Sequence, residues 1–512
     1  MTEKTASRGD KTITSLYTTI IAWGWPLALA MIITPLLEHG LGADAYGMEG
    51  LVSTITGYFA VLDLGLNGAG TKYLAEYVAT NDRKSIRELI GTTLSLYLFL
   101  GVVGCVLIWF IAPWAVLSMF KVPLNLQQVS IEALRVASFG FVFSMLIWWG
   151  TSIPTGLQRF DIFNWISVGF GTLTSVGSLA AIWFGMGLIG VVWANVLSNV
   201  VAFVAYWFAA RHLLPDIPIW PSFDWQMFKR TIKFGLWSVL FRLVGVMVTQ
   251  LDRIFIGIWL GTAPLTYFII PSQLASVIQQ ISGKMMQIVF PMASEFSAAK
   301  SVDKLRLLVI RSLNLTTVVA IGLGLPTLVL ARPLMVFWMG ADFASRSSDL
   351  LILLAVFYCL SSLTAAPSSI LPGIGKPQVI FYASIISSVF ILPAYFLFIR
   401  PLGIIGVGWS YFVSAIPVIV YYIILIKTTT GVAPTAFLGV IVRPLVLALG
   451  IGFAASMILV PMINNLFGVL LAGGLMVAVY GLGVWFIGVF DSNEKAILTS
   501  FILRRVPIFS KK

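Results

Sequence analysis

TGLQRFD at 155–161 opens a pattern that occurs twice in this chain. The first copy continues with a long apolar run and GLIGVVWA (187–194), and the second reads PGIGKPQ (372–378), an apolar run and GIIGVGWS (403–410). Further upstream, Arg87 matches Arg306, and the two are separated by nearly the same number of residues as the two copies of the pattern. The pattern predicts two duplicated halves, 1–215 and 216–430, followed by an additional segment at 431–490 and a basic tail at 491–512.

The composition is that of an integral membrane protein. The chain is 59% hydrophobic and only 10% charged, with a mean hydropathy of +0.97. Since a spanning helix needs about 20 mostly apolar residues, the sequence predicts an all-α protein with about 14 transmembrane helices. The predicted spans are 12–37, 46–68, 88–112, 132–156, 162–184, 188–210, 232–258, 265–291, 307–330, 350–371, 378–399, 402–426, 437–461 and 466–490.

The cations behind the net charge of +12 are distributed unevenly between the two sides of the membrane that the sequence predicts. With the N-terminus inside, the predicted outer loops contain few cations, namely Lys121, Arg332, Arg346 and Arg400, and the remaining loop and tail cations lie on the inner side. This asymmetry is the positive-inside rule and predicts that both termini are cytoplasmic. A nucleic-acid partner is not implied. The proline-containing link 211–233 is expected to lie along the cytoplasmic surface.

Duplicated membrane halves are typical of transporters that alternate access to a central site. No outer segment is long enough for an extramembrane catalytic domain, and no Walker loop is found, so neither an enzyme nor an ATPase is predicted. The two cysteines, Cys105 and Cys359, lie within predicted spans and are read as buried thiols. No cofactor or metal site is expected.

Charged residues inside spans are rare and usually face a cavity. The seventh predicted span contains Arg242 and Arg253, which are about three helical turns apart and share one face. Asp252 lies beside Arg253 and could pair with it. An alternative is that Arg253 lies near the outer interface and extends its head toward water.

Two predicted helices that correspond in the repeat each show a polar stripe. The stripe of the eighth span consists of Gln273, Ser276, Gln280, Lys284 and Gln287. The stripe of the second span consists of Glu49, Ser53, Thr56, Asp63 and Asn67. We interpret the two stripes as basic and acidic walls of an aqueous cavity, and Arg135, expected at the start of the fourth helix, could join the cationic set. The alternative is hydrogen bonding between helices without any substrate.

Several short motifs resemble those of a known family. They are LGADAYG (41–47), LDLGL (62–66), the Ala75-Glu76 step before a basic loop, GLQRFD (156–161) and LDR (251–253). In this order they resemble the polysaccharide flippases that move O-antigen, exopolysaccharide and teichuronic-acid precursors. These proteins are the polysaccharide branch of the multidrug/oligosaccharidyl-lipid/polysaccharide exporter superfamily. The similarity covers essentially the whole chain.

The resemblance implies a V-shaped transporter of fourteen helices in the bacterial cytoplasmic membrane. It also implies that the substrate is an undecaprenyl-pyrophosphate-linked oligosaccharide used in surface polysaccharide biosynthesis. By likeness to the lipid II flippases, helices thirteen and fourteen would form a groove for the polyprenyl tail. Membrane lipid is a further partner, and a polysaccharide polymerase is a candidate one. The alternative within the superfamily is a cation-coupled multidrug antiporter, which should favour an acidic lining.

The expected mechanism assigns a role to each polar group. Arg242 and Lys284 would hold the diphosphate, and Arg253, Arg135 and Gln273 are further candidate substrate-binding residues. Gln280, Gln287 and Asn67 would bind sugar hydroxyls, and Asp63 or Glu49 would bind a coupling proton or Na⁺. The membrane potential alone could also drive the outward movement of a dianion.

Overall fold

The computed structural model describes residues 24–488, apart from the side chains of 60–61 and 234–249. This part of the chain is helical throughout, with turns and short extended links between helices. Packing divides the chain into two units, Met1–Thr266 and Tyr267–Lys512.

The described residues of the first unit form eight long or medium helices and the start of a ninth. They are α1 (Gly24–Leu41), α2 (Ala43–Phe59), α3 (Leu66–Ala79), α4 (Arg83–Trp114), α5 (Leu124–Gly156), α6 (Phe160–Trp183), α7 (Gly187–Leu213), α8 (Trp225–Trp259) and the first residues of α9 (Thr262–Met286). A 3₁₀ turn (Ala60–Asp63) follows α2, and a π-helical turn (Ala115–Met119) follows α4.

In the second unit, the residues up to 488 form the remainder of α9 and nine further helices. They are α10 (Val289–Ala298), α11 (Val302–Val329), α12 (Ala331–Met339), α13 (Ala341–Ser362), α14 (Ala365–Gly373), α15 (Gln378–Leu402), α16 (Ile404–Thr430), α17 (Pro434–Ile458) and α18 (Leu466–Phe486). Helix α11 packs against α13, α17 and α18, so it lies at the centre of this unit.

The boundary between the packed units differs from the predicted boundary between the halves. The halves were expected to meet at 215/216, whereas the units separate after Thr266. The reason is that α8 packs against α2, α3 and α4 of the first unit.

Ten helical segments of the described residues are long and apolar enough to span a membrane, and the pair α1–α2, bent by 118°, is an eleventh candidate. The predicted all-helical membrane architecture is therefore confirmed. The count of fourteen is not reached by this criterion. Helices α8 and α9 correspond to the seventh and eighth predicted spans. The polar side chains of α9 lower its hydropathy, whereas the side chains of 234–249 in α8 lie outside the described residues.

The internal repeat is also present in the backbone conformation. Residues with positive φ occur at corresponding positions of the two copies, in the pairs Gly42 (81°) and Gly261 (106°), Asn81 (54°) and Lys300 (52°), Gln158 (57°) and Gly375 (88°), and Gly187 (56°) and Gly403 (62°). Left-handed backbone is uncommon for residues other than glycine. Its recurrence at matched turns supports a common origin of the two copies.

Small residues allow the helices of the first unit to approach closely. A Cβ atom on Gly104 of α4 would lie 2.2 Å from the ring of Phe141 on α5, which is a clash. In lipid, such close packing and interhelical hydrogen bonds stabilise helix contacts, because lipid tails are as apolar as the side chains. The indole of Trp149, fully buried, adds one such bond by donating to the carbonyl of Ile90 at 3.2 Å.

Candidate functional site

The polar stripe of α9 lies on an exposed face of the helix. Gln273, Gln280 and Lys284 are exposed, whereas Ile278 and Ser282 on the other side are buried. The Gln280 amide donates to Ser276 Oγ at 3.1 Å, so the stripe is partly ordered by its own members. In a membrane helix, an exposed polar face is expected to meet water or a polar ligand, because hydrocarbon cannot satisfy it.

Gln287 does not continue this face as predicted. Helix α9 ends at Met286, and Gln287 lies in the turn before α10. Pro291 explains the break, because it has no N–H to donate to the carbonyl of residue 287 in a continuous helix.

A small polar cavity lies inside the first unit, between α2, α5 and α7. Its volume is about 70 Å³. Glu49 lines it and accepts a hydrogen bond from Ser53 Oγ at 2.9 Å. A cavity needs about 10–15 Å³ by this measure to hold one water molecule. This one therefore has room for a few waters or for a monovalent cation.

Three further polar side chains of this cavity were missed by sequence reasoning. Ser144 of α5 and Asn195 and Asn199 of α7 line it together with Glu49 and Thr56. Ser144 Oγ lies 3.4 Å from Asn199 Oδ1, and Asn199 Nδ2 lies 3.3 Å from Asn195 Oδ1. The i, i+4 spacing of the two asparagines on an apolar helix was the available signal.

Asp63 and Asn67 are not on the same helical face as Glu49, which corrects the prediction of one continuous stripe. Helix α2 ends at Phe59, and Leu64 and Gly65 have positive φ values of 50° and 73° before α3 begins. The LDLGL motif is therefore a helix break. Asn67 donates to the carbonyl of Trp148 at 2.6 Å and lies 2.9 Å from Thr151 Oγ1.

Asp63 lies fully buried within the first unit. Its carboxylate accepts hydrogen bonds from the Tyr97 hydroxyl and, at 3.2 Å, from the backbone N–H of Asn67. A carboxylate at the start of α3 also interacts favourably with the helix dipole. These contacts stabilise the break between α2 and α3.

The Tyr97→Phe variant is expected to be less stable, because it removes one donor from a buried carboxylate. The loss should be about 1–3 kcal/mol, the usual cost of leaving a buried polar group unsatisfied. Thermal unfolding of the purified protein in nanodiscs measures it. Tyr382→Phe, at an exposed tyrosine, is the control and should be neutral. Equal melting temperatures of both variants would argue against a structural role of the Tyr97–Asp63 bond.

Arg135 does not lie at a helix start, because α5 begins at Leu124. Its guanidinium carbon is 5.1 Å from the centre of the Trp109 ring on α4, and its buried Nε has no hydrogen-bond partner. The α5 residues that line the cavity of Glu49 are others, Ala137 and Ser144 among them. The structure thus separates Arg135 from that cavity.

The two arginines of α8 differ in what the structure describes. The side chain of Arg242 lies outside the described residues. Arg253 is half-buried on α8, which packs against α2, the helix of Glu49. Asp252 Oδ1 accepts the backbone N–H of Arg253 at 2.7 Å. Arg253 therefore lies close to the acidic wall predicted from the sequence.

A large apolar cavity lies within the second unit. Its volume is about 890 Å³, and residues of α11, α13 and α17 line it, including Leu325, Leu360 and Phe453. The spaces beside α17 and α18, which correspond to predicted helices thirteen and fourteen, are smaller. One of about 190 Å³ lies between the two helices, and one of about 590 Å³ lies along α17 beside Ile487. The more spacious apolar groove is thus formed by α17 with α11 and α13.

Among the residues that the structure describes, no group of three or more His, Cys, Asp or Glu side chains is placed to hold a metal ion.

Sequence comparison relates the chain to known proteins. A family model described as polysaccharide biosynthesis protein matches residues 39–348, more than half of the chain. A candidate O-antigen transporter of Shigella flexneri is 21% identical over 404 residues, which are 76% of this chain and 92% of that protein. These relatives point to a transporter rather than to an enzyme.

Solved structures with a similar fold are membrane transporters. The lipid II flippase MurJ, in an inward closed conformation, matches with a TM-score of 0.73 at 14% identity, over 92% of this chain and 99% of that one. An inward-facing multidrug resistance transporter of the MATE family and MOP superfamily matches with a TM-score of 0.68 at 16% identity, over 80% of this chain and 98% of that one. At such identities the similarity shows that this chain has the same fold as these structures.

Proposed function

Because the chain belongs to the polysaccharide biosynthesis protein family, we propose that it moves a lipid-linked oligosaccharide between the leaflets of the bacterial inner membrane. The cargo in this proposal is an undecaprenyl-pyrophosphate-linked oligosaccharide for surface polysaccharide. Sugars and a diphosphate cannot cross hydrocarbon without a polar path, since each unsatisfied polar group costs several kcal/mol there.

The observation that carries this proposal is the exposed stripe of α9. One side of this otherwise apolar helix carries the amides of Gln273 and Gln280, the hydroxyl of Ser276 and the ammonium group of Lys284. Amide and hydroxyl groups suit sugar hydroxyls, and an ammonium group suits a phosphate. Gln287, Asn67, Arg135, Arg242 and Arg253 remain proposed contacts of the same headgroup.

The lipid tail is proposed to stay in apolar surroundings throughout transport. The 890 Å³ cavity along α17 supports this, since its lining is almost entirely apolar. Fourteen membrane helices, a V-shaped arrangement of alternating halves and cytoplasmic termini complete the proposed architecture. The internal repeat and the charge asymmetry of the loops support it.

Two sources of energy are proposed for export. Moving negative charge outward across an inside-negative membrane releases about 2.3 kcal/mol per charge per 100 mV. A coupling cation is the second source. Of the two candidates, Glu49 is the stronger, because it lines a cavity, whereas Asp63 is held by Tyr97 and the backbone of Asn67.

The Glu49→Gln variant should lose its response to the coupling ion, because it removes the charge but keeps the size and a bond to Ser53. We expect about a tenfold lower initial rate of translocation under a proton or Na⁺ gradient, which corresponds to about 1.4 kcal/mol. The measurement uses vesicles with a fluorescent lipid-linked glycan and a clamped potential. Glu132→Gln, at an exposed carboxyl of α5, is the control. Undiminished gradient dependence in Glu49→Gln would remove Glu49 from the proposal.

A deletion strain tests the function itself. We expect a lipid-linked glycan to accumulate in the inner leaflet and surface polysaccharide to be lost, including single repeat units. Export of single units would instead indicate a polymerase. Normal surface polysaccharide with increased sensitivity to cationic drugs would favour the multidrug antiporter and contradict the proposal.

A further inference from the structure

The link between α7 and α8 is an extended strap, residues 214–224, that packs against α4. Ile217 and Ile219 on its inner side are 8% and 2% exposed and belong to the core of the first unit. Ser222 N donates to the carbonyl of Gly91 at 3.2 Å, and Ser95 Oγ donates to the carbonyl of Ser222 at 3.0 Å. The strap is therefore fixed to the scaffold along one side.

The other side of the strap leads into an exposed cluster of aromatic rings, which we call the aromatic patch. It consists of Trp220 on the strap and of Phe223, Trp225 and Phe228, whose rings lie against one another. The first three are 65%, 57% and 56% exposed. Phe228 lies 5.5 Å from Phe223 and 5.1 Å from Trp225 between ring centres, so the rings near the start of α8 form one continuous surface.

The aromatic patch lies at the edge of the apolar belt of α4. The strap contacts α4 between Gly91 and Ser95. One turn further along, Leu98 and Phe99 begin the exposed apolar surface of that helix, at 39% and 64% exposure. Tryptophan is enriched at this level of a bilayer, where its ring meets the headgroups.

Lysines of α8 lie next to the aromatic patch. Lys229 Nζ lies 5.1 Å from the centre of the Trp225 ring, and Lys233 is exposed one turn further along α8. Exposed cations next to a membrane surface attract anionic lipid headgroups.

We infer that the aromatic patch inserts into the headgroup layer at this end of the first unit and that Lys229 binds the phosphate of an anionic phospholipid there. The strap then couples the lipid surface to α4 and α8. This inference is independent of the transported cargo.

Fluorescence from a labelled strap tests the inference. In a C105S/C359S background, Trp220→Cys carries an NBD label, and the protein is placed in nanodiscs with or without phosphatidylglycerol. The control is Lys84→Cys, whose side chain is 85% exposed at the start of α4. We expect blue-shifted emission at position 220 and at least twofold stronger quenching by a headgroup nitroxide than at position 84, increasing with phosphatidylglycerol.

Two results would overturn it. Equal quenching of both positions by iodide would place the patch in water, and protection from both quenchers would indicate that another protein covers it. A second measurement keeps the native cysteines. Native mass spectrometry of W220S/F223S/W225S/K229Q should show at least twofold less bound phosphatidylglycerol than W183S/F184S, which removes two even more exposed aromatic rings at the end of α6. Equal retention by two monodisperse variants would contradict the lipid site.

Discussion

Replacing Lys284 by glutamate should reduce surface polysaccharide to below about a tenth of its normal amount. Two unit charges about 8 Å apart interact by about 2 kcal/mol at an effective dielectric constant of about 20, and the substitution reverses the sign of that interaction. A loss of about 1.4 kcal/mol already corresponds to a tenfold decrease in rate. The effect should be large because the stripe of α9 contains this single ammonium group.

The measured quantity is the amount of surface glycan on a deletion strain that is complemented with each variant at matched protein levels. Lys284→Arg should retain most activity because it keeps the charge. Lys427→Glu, at an exposed lysine near the end of α16, controls for the change in net charge and should be close to normal. If Lys284→Glu transported normally, the stripe would not bind an anionic headgroup.

The Gly47→Val variant should fail to accumulate as folded protein. A Cβ atom on Gly47 would lie 1.9 Å from the carbonyl oxygen of Thr262 and 2.7 Å from its carbon, and a backbone group cannot turn away as a side chain can. Asp44 fixes that segment further, since its Oδ1 accepts the Thr262 hydroxyl at 2.5 Å and the N–H of Ala263 at 3.1 Å. Such overpacking commonly costs about 1–3 kcal/mol, and more where the backbone must move.

Fluorescence-detected gel filtration of a tagged protein measures the effect. Gly68→Ala is the matched control, because it lies inside α3 with open space around its Cβ position and should be neutral or slightly stabilising. Gly47→Ala should already lower the monodisperse fraction. An unchanged elution profile for both Gly47 variants would mean that α2 and the start of α9 separate in the membrane.

Hydrophobicity and repetition made the architecture predictable. The apolar runs of the chain correspond to the helices because span length depends mainly on bilayer thickness. The exposed face of α9 could equally be predicted from the sequence, since Gln273, Gln280 and Lys284 recur at helical spacing. The break after α2 was missed although LDLGL contains it, because the left-handed conformation of Leu64 is not a preference of leucine.

Tertiary contacts account for what could not be predicted. The cavity beside Glu49 depends on side chains from three helices, and nothing local connects Asn199 on α7 with Ser144 on α5. Similarly, the position of Arg135 in the sequence does not reveal that its guanidinium packs on the ring of Trp109 on α4. Long-range pairs of this kind require the packing order of helices, which periodicity alone does not contain.

The paired left-handed residues, such as Asn81 with Lys300, have an evolutionary consequence. Turn geometry is retained in both copies even where the amino acids differ, as they do at Asn81 and Lys300. After the ancestral gene doubled, chemistry could therefore diverge on a scaffold that was already foldable. One copy carries the carboxylate of Glu49 and the other the ammonium of Lys284, so the two copies of one scaffold present opposite charges.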